Sequence, residues 1–270
     1  RPVMFNSWEV FEFDIDVEQQ MKLAELAASI GTELFVMDDG WFGARDNDRA
    51  GLGDWFPSPK KFPNGLHPLI EKVNSLGMDF GIWVEPEMVN RDSDLYRTHP
   101  DWVLSCPGKP KTEKRNQLVL NFAREDVKEF AWDFLNKLLS ENNIAYLKWD
   151  MNRYLCEASW PEVPKERQRE VWTRYVYNVW DLFERIEREF PHVLLENCSS
   201  GGCRMVLAMS ARSDMVNTSD NSDTLDNLKI FEGYTQLFLP KTSGRPVTIS
   251  PNGVNGRSLP LGYRMAFAMM

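Results

Sequence analysis

The chain has 270 residues, 31 Lys and Arg against 40 Asp and Glu, a formal net charge of −9, and 43% apolar with 12% aromatic residues. That aromatic content supports a packed core and excludes a disordered chain, while the acidic balance argues against a nucleic-acid partner, whose phosphates call for Lys and Arg. No run approaches the roughly 18 apolar residues of a membrane-spanning helix, so no membrane partner is expected.

Short apolar runs alternate with longer amphipathic ones from end to end. Residues 3–8 read as a strand, followed by a helix over 17–30 in which Met21, Leu23, Leu26, Ala27 and Ile30 fall on one face. A strand at 34–37 leads to a helix at 66–76. A strand at 80–84 leads, after a long insertion, to a helix at 126–139. Strands at 144–149, 193–195, 215–218 and 246–249 precede helices at 165–190, 203–209, 225–237 and 259–269. Seven strand-helix units predict a parallel sheet with right-handed crossovers and a TIM-type (β/α)8 barrel that lacks its eighth strand. A doubly wound sheet would want a G-x-G-x-x-G turn after its first strand, where Trp8-Glu9 stands instead.

The four cysteines, Cys106, Cys156, Cys198 and Cys203, form no C-x-x-C pair and read as reduced thiols of a cytoplasmic protein. The chain opens at Arg1 without a signal peptide and closes on Met269-Met270. Residues 1–270 are therefore expected to be one catalytic domain from a longer multidomain protein. The three histidines are far apart, and neither a cofactor loop nor a metal-ligand motif appears, so no cofactor and no metal are expected.

In a barrel the chemistry gathers at the carboxyl ends of the strands. Those ends read Asn6-Ser7-Trp8-Glu9, Asp38-Asp39-Gly40-Trp41, Trp83-Val84-Glu85-Pro86-Glu87, Lys148-Trp149-Asp150-Met151-Asn152-Arg153, Glu196-Asn197-Cys198 and Thr218-Ser219-Asp220-Asn221. One acidic loop is ordinarily just solvated, but carboxylates and tryptophans recur at successive ends. Aromatic rings cover the apolar face of a sugar and carboxylates accept from its hydroxyls, so the pattern points to carbohydrate. Glycoside hydrolysis needs two carboxyl groups flanking one bond. Strand alternation turns Lys148 and Asp150 to the same face, where the ammonium would favour an ionised nucleophile. A divalent cation held by Asp38, Asp39 and Glu85 is an alternative for the same acids. A barrel that binds sugar without catalysis, and an aldolase using Lys148 as a Schiff-base lysine, are alternatives of other classes.

Several segments carry a resemblance: Val36-Met37-Asp38-Asp39-Gly40-Trp41-Phe42-Gly43, WVEPEMVN at 83–90, Ser93-Asp94-Leu95-Tyr96, His99-Pro100-Asp101-Trp102-Val103-Leu104, Leu118-Val119-Leu120-Asn121-Phe122-Ala123-Arg124, KWDMNR at 148–153, Glu196-Asn197-Cys198-Ser199 and Thr218-Ser219-Asp220-Asn221. Together they resemble the central barrel of the glycoside hydrolase family 36 α-galactosidases. The resemblance implies a retaining hydrolase of terminal α-galactosides that works without a cofactor. It assigns the nucleophile to Asp150 and the acid/base to Asp220. Asp38 and Asp39 would grip the galactose O4 and O6. Arg115, Lys148, Asn152 and Cys198 would bind sugar, and Trp83 would form an aromatic wall. It further implies flanking β-domains and a homo-oligomer, a tetramer. The loops at 199–202, 217 and 245–254 read as departures from the family pattern. Ser200, whose hydroxyl can bond an amide or amine, is expected to set the preference at the sugar's 2-position, with an α-N-acetylgalactosaminidase or α-galactosaminidase as the alternative activity.

Overall fold

The computed structural model describes residues 2–157 and 159–270, and its strands are the short apolar runs of the sequence. The chain divides into two units, Arg1–Val193 and Leu194–Met270. In the first, β1 (Met4–Asn6) runs into a short helix, α1 (Trp8–Phe11), and then into α2 (Val17–Ser29). Asp16 caps α2 by accepting from Gln19 N at 2.8 Å, which satisfies one of the donors a helix start leaves open. β2 (Leu34–Met37) is apolar and buried at every position, as expected of a strand covered on both faces. α3 (His67–Ser75) buries Leu69, Ile70 and Val73 and packs beside α2, and β3 (Asp79–Val84) follows it. After the insertion come α5 (Glu125–Glu141), β6 (Tyr146–Trp149) and α6 (Glu170–Glu189). α6 buries Val171, Tyr175, Val179, Leu182, Phe183 and Ile186, a stripe of the three- and four-residue spacing that defines a helix face.

β1, β2, β3 and β6 form a parallel sheet in that order, with Met4 opposite Leu34, Leu34 opposite Asp79 and Gly81 opposite Tyr146. The insertion has structure of its own. β4 (Met88–Asn90) and β5 (Gln117–Val119) pair antiparallel, Val89 opposite Leu118, and α4 (Asp94–Thr98) lies between them, capped by Ser93 accepting from Tyr96 N at 3.0 Å.

In the second unit, β7 (Leu194–Asn197) and β8 (Met215–Val216) are parallel, with Glu196 opposite Met215. α7 (Leu207–Ser210) lies between them, and α8 (Thr224–Tyr234) and α9 (Leu261–Ala268) follow. Asp223 caps α8 by accepting from Asp226 N at 2.9 Å.

Two expectations need correcting here. The helix at 203–209 shrinks to the single turn of α7. The strand at 246–249 is absent among the described residues, and the preceding segment pairs with β8 through a bridge from Ser243 to Val216. Pro246 has no N–H to give a ladder, and the Thr248 carbonyl is taken by Arg264 Nη1 at 2.5 Å. Parallel strands alternating with helices are thus present, and the seventh unit has its helix, α9, but no strand among the described residues. No helix among the described residues is long and apolar enough to cross a membrane.

Candidate active site

In the first unit the acids sit where the parallel strands end. Asp38, directly after β2, receives Asn6 Nδ2 at 2.6 Å and Lys148 Nζ at 2.7 Å on Oδ2, while its amide donates to Ser7 Oγ at 3.0 Å. The contact with Lys148 is an ion pair that reaches across the sheet from β6.

Asp39 meets Arg45 in a two-pronged pair, Nε to Oδ1 at 2.9 Å and Nη2 to Oδ2 at 2.8 Å. Arg45 is fully buried and lies over the Phe13 and Phe42 rings, and its Nη1 reaches Asn90 Oδ1 at 3.0 Å. Burial raises the Asp39 carboxyl and the guanidinium opposes that rise. Burial would likewise lower Arg45, yet Asp39 holds it in the charged form. The fork of two short bonds decides for the ionised pair. Lys61 fixes the turn beneath, donating to the carbonyls of Phe13, Gly40 and Arg45 at 2.8, 2.9 and 2.7 Å.

Asn90 ends β4 and uses its whole amide. Oδ1 accepts from Arg45 and from Leu52 N at 2.9 Å, and Nδ2 gives to Asp48 O at 3.1 Å and Asn116 O at 2.8 Å. Arg115 and Asn116 both take left-handed backbone, φ 53° and 58°, and Arg115 is exposed at the start of β5. Asn90 therefore ties the Asp39–Arg45 clamp to the turn that presents Arg115.

Asp150 follows β6 and its amide donates to Val84 O at 2.8 Å. Its Oδ1 accepts from Met151 N at 2.8 Å, and its Oδ2 from Asn152 Nδ2 at 2.8 Å and Trp83 Nε1 at 3.2 Å. These three N–H donors favour the carboxylate. Trp83, expected as an aromatic wall, is buried and stacks on Phe42 with centroids 6.1 Å apart, so its contact with the acid is through the indole N–H.

Glu85, at the end of β3, is fully buried and accepts from the Asn152 amide and from Gln117 Nε2 at 3.0 Å. Burial, and then the neighbouring Asp150, push its carboxyl up to about 8. Asp38, Asp39 and Glu85, weighed above as a set of oxygen ligands, are each bonded to side-chain donors: Lys148 and Asn6, Arg45, and Gln117.

In the second unit, Cys198 is buried just past β7 and its Sγ receives Asn217 Nδ2 at 3.3 Å. Ser200 has a left-handed backbone at φ 44°. Gly201 packs against the Ser219–Asp220 backbone so tightly that a Cβ there would lie 2.6 Å from Asp220 N. Asp220 is exposed, and its Oδ1 accepts from Asn217 Nδ2 at 3.0 Å. The first unit thus brings together Asp38, Asp39, Trp83, Lys148, Asp150 and Asn152, with Arg115 linked through Asn90. The second brings together Cys198, Ser200 and Asp220. Sequence reasoning passes over Arg45, Lys61 and Asn90 and weighs Glu85 only as a metal ligand. The available signal was the adjacent acids Asp38 and Asp39, which need a counter-charge once buried.

Parallel strands with carboxyls and tryptophans at their carboxyl ends define an α/β domain that gathers its acids at the strand ends. The chain belongs to the melibiase family, whose model matches residues 1–270. It is 44% identical over 269 residues to the α-galactosidase AgaA of Geobacillus stearothermophilus and 43% identical over 281 residues to the α-galactosidase C of Emericella nidulans. Both alignments cover 100% of this chain but only 37% and 36% of those proteins, so the chain spans a little over a third of their length. The crystal structure of the Geobacillus enzyme superposes with a TM-score of 0.97 at 44% identity, over 100% of this chain and 38% of that one.

Proposed function

We propose that the chain is the catalytic part of a retaining glycoside hydrolase that releases terminal α-galactosyl residues from oligosaccharides or glycoconjugates, on a TIM-type (β/α)8 scaffold. The observation that carries the reading is Asp150, an acid beyond a parallel strand, supplied with three N–H donors and accompanied by a second, fully buried carboxyl, Glu85. Related proteins named as α-galactosidases support the substrate class, and variants of the Geobacillus enzyme have been crystallised with raffinose and with stachyose.

In this reading Asp150 attacks the anomeric carbon as the glycosidic C–O bond breaks, and Asp220 gives its proton to the departing oxygen. The glycosyl-enzyme neutralises Asp150. Asp220, now ionised, takes a proton from water, which attacks the same carbon and frees Asp150. Two inversions return the original anomer. Asp38 and Asp39, oriented by Lys148 and Arg45, accept from sugar hydroxyls. Arg115, Asn152 and Cys198 complete the sugar contacts, and Ser200 faces the 2-substituent.

Proton NMR of the first sugar released by the full-length protein tests this. α-Galactose should appear first and mutarotate to β, and β-galactose appearing first refutes the double displacement. Asp150→Asn should lose turnover on p-nitrophenyl α-galactoside and raffinose alike, as befits the nucleophile.

A further inference from the structure

The asparagine before the Thr218-Ser219-Asp220-Asn221 segment has an amide in which every polar atom is engaged. Asn217 Oδ1 accepts from Ser219 N at 3.2 Å, while Nδ2 gives to Asp220 Oδ1 at 3.0 Å and to Cys198 Sγ at 3.3 Å. The bond from Ser219 settles which end of the amide is oxygen, so the donors must face Asp220 and Cys198. Its backbone is equally fixed, since Asn217 N donates to Asn197 O at 3.1 Å, beyond the last paired residues of β7 and β8. The Asp220 backbone also runs close over Gly201, where a Cβ would lie 2.6 Å from Asp220 N.

We propose that Asn217 is a positioning residue for the acid/base, holding the Asp220 carboxyl by Oδ1 so that the proton delivered to the leaving oxygen is carried on Oδ2. This rests on the reading of Asp220 as the acid/base. The physical argument concerns both protonation states. An amide N–H is accepted better by the carbonyl oxygen of a protonated carboxyl than by its hydroxyl oxygen, which favours the acidic proton on the other oxygen. When the glycosidic bond breaks and that proton moves to the departing oxygen, Asp220 becomes an anion. The Asn217 bond then becomes charge-assisted and strengthens. It is stronger after transfer than before, which is the property that accelerates a step rather than merely binding its substrate. Cys198 takes the second amide hydrogen and prevents the side chain from turning away.

The test compares leaving groups. A nitrophenolate departs without a proton, whereas the sugar alcohol released from raffinose needs one. In the full-length protein, Asn217→Ala and Asn217→Leu should each lower kcat/KM for raffinose by roughly tenfold or more relative to p-nitrophenyl α-galactoside. Activity on the aryl substrate reports that the variant is folded. Equal losses on both substrates, or no loss on either, overturn the proposal, because a packing role would not distinguish leaving groups. Asp220→Ala serves as the reference. It should show a larger discrimination of the same sign, and azide should restore its turnover of the aryl substrate. If Asp220→Ala shows neither, the acid/base reading fails and the proposal with it. If Asp220→Ala behaves as expected while the Asn217 variants do not discriminate, only the role of Asn217 is lost.

Discussion

Asp39 and Arg45 show what the acids of this site require of their neighbours. An acid buried this deeply is tolerated because a guanidinium meets both of its oxygens, and that guanidinium is in turn buried over Phe13 and Phe42 and bonded to Asn90. Removing one partner leaves an uncompensated charge, which typically costs about 3–5 kcal/mol, whereas removing both charges together costs far less. Arg45→Met should therefore lower the stability of the protein by about that amount in urea unfolding, and Arg45→Met with Asp39→Asn should regain most of it. Activity should not follow stability. If Asp39 accepts from sugar hydroxyls, the double variant stays folded but keeps a raised KM for p-nitrophenyl α-galactoside. A double variant that regains the wild-type KM would make Asp39 a purely structural partner of Arg45.

At the scale of elements, the loop after β7 sets the position of the loop after β8. Gly201 has φ 79°, and a Cβ there would lie 2.6 Å from Asp220 N and from Ser219 Cα, atoms of backbone that cannot step aside as a flexible side chain could. A Cβ on Gly202 would likewise lie 2.6 Å from Thr218 O. Gly201→Ala is expected to cost about 1–3 kcal/mol for the left-handed backbone alone, with the clash in addition, and to shift Asp220. Raffinose hydrolysis should fall further than hydrolysis of the aryl galactoside, whereas Ser200→Gly, at a position already left-handed, should be neutral or stabilising. Thermal unfolding of the two variants side by side checks the sign. The strands and acids of these loops are legible in the sequence, because a buried parallel strand is a continuous apolar run and its carboxyl end is marked by the first polar residues after it. The three-residue strands β4 and β5 are not, since so short a pair shows no alternation to read. Nor are the partners of the acids legible. Arg45 bonds Asp39 from six residues away and Asn90 from 45, and chain distance carries no trace of which cation will be buried. Pro246 was the visible argument against a strand at 246–249, where apolar composition alone favours one.

For the molecule as a whole, the buried carboxyls make stability a function of pH in a direction opposite to that of surface acids. Glu85 rises from an ordinary 4.5 to about 8 in the folded chain, first because it is buried and then because Asp150 is beside it. In the unfolded chain it ionises near its ordinary value. A group whose folded pKa is raised contributes stability that is fully present below the unfolded pKa and is lost as pH rises through the folded one. The window for Glu85 is therefore about pH 4.5 to 8. Burial raises Asp54 as well, which adds to the same trend. The lowered acids Asp46 and Asp126 act in the reverse sense, losing their contribution as pH falls, but they face solvent and are screened. Unfolding in urea from pH 5 to pH 9 should thus show wild-type stability declining towards pH 8. Glu85→Gln, neutral throughout and able to accept from the Asn152 amide, should decline less, so that the two curves converge or cross by an amount on the order of a few kcal/mol. Asp150→Asn removes the second cause and leaves burial, so its decline should be intermediate. Parallel curves for wild type and Glu85→Gln across that window would mean that Glu85 is ionised in the folded chain.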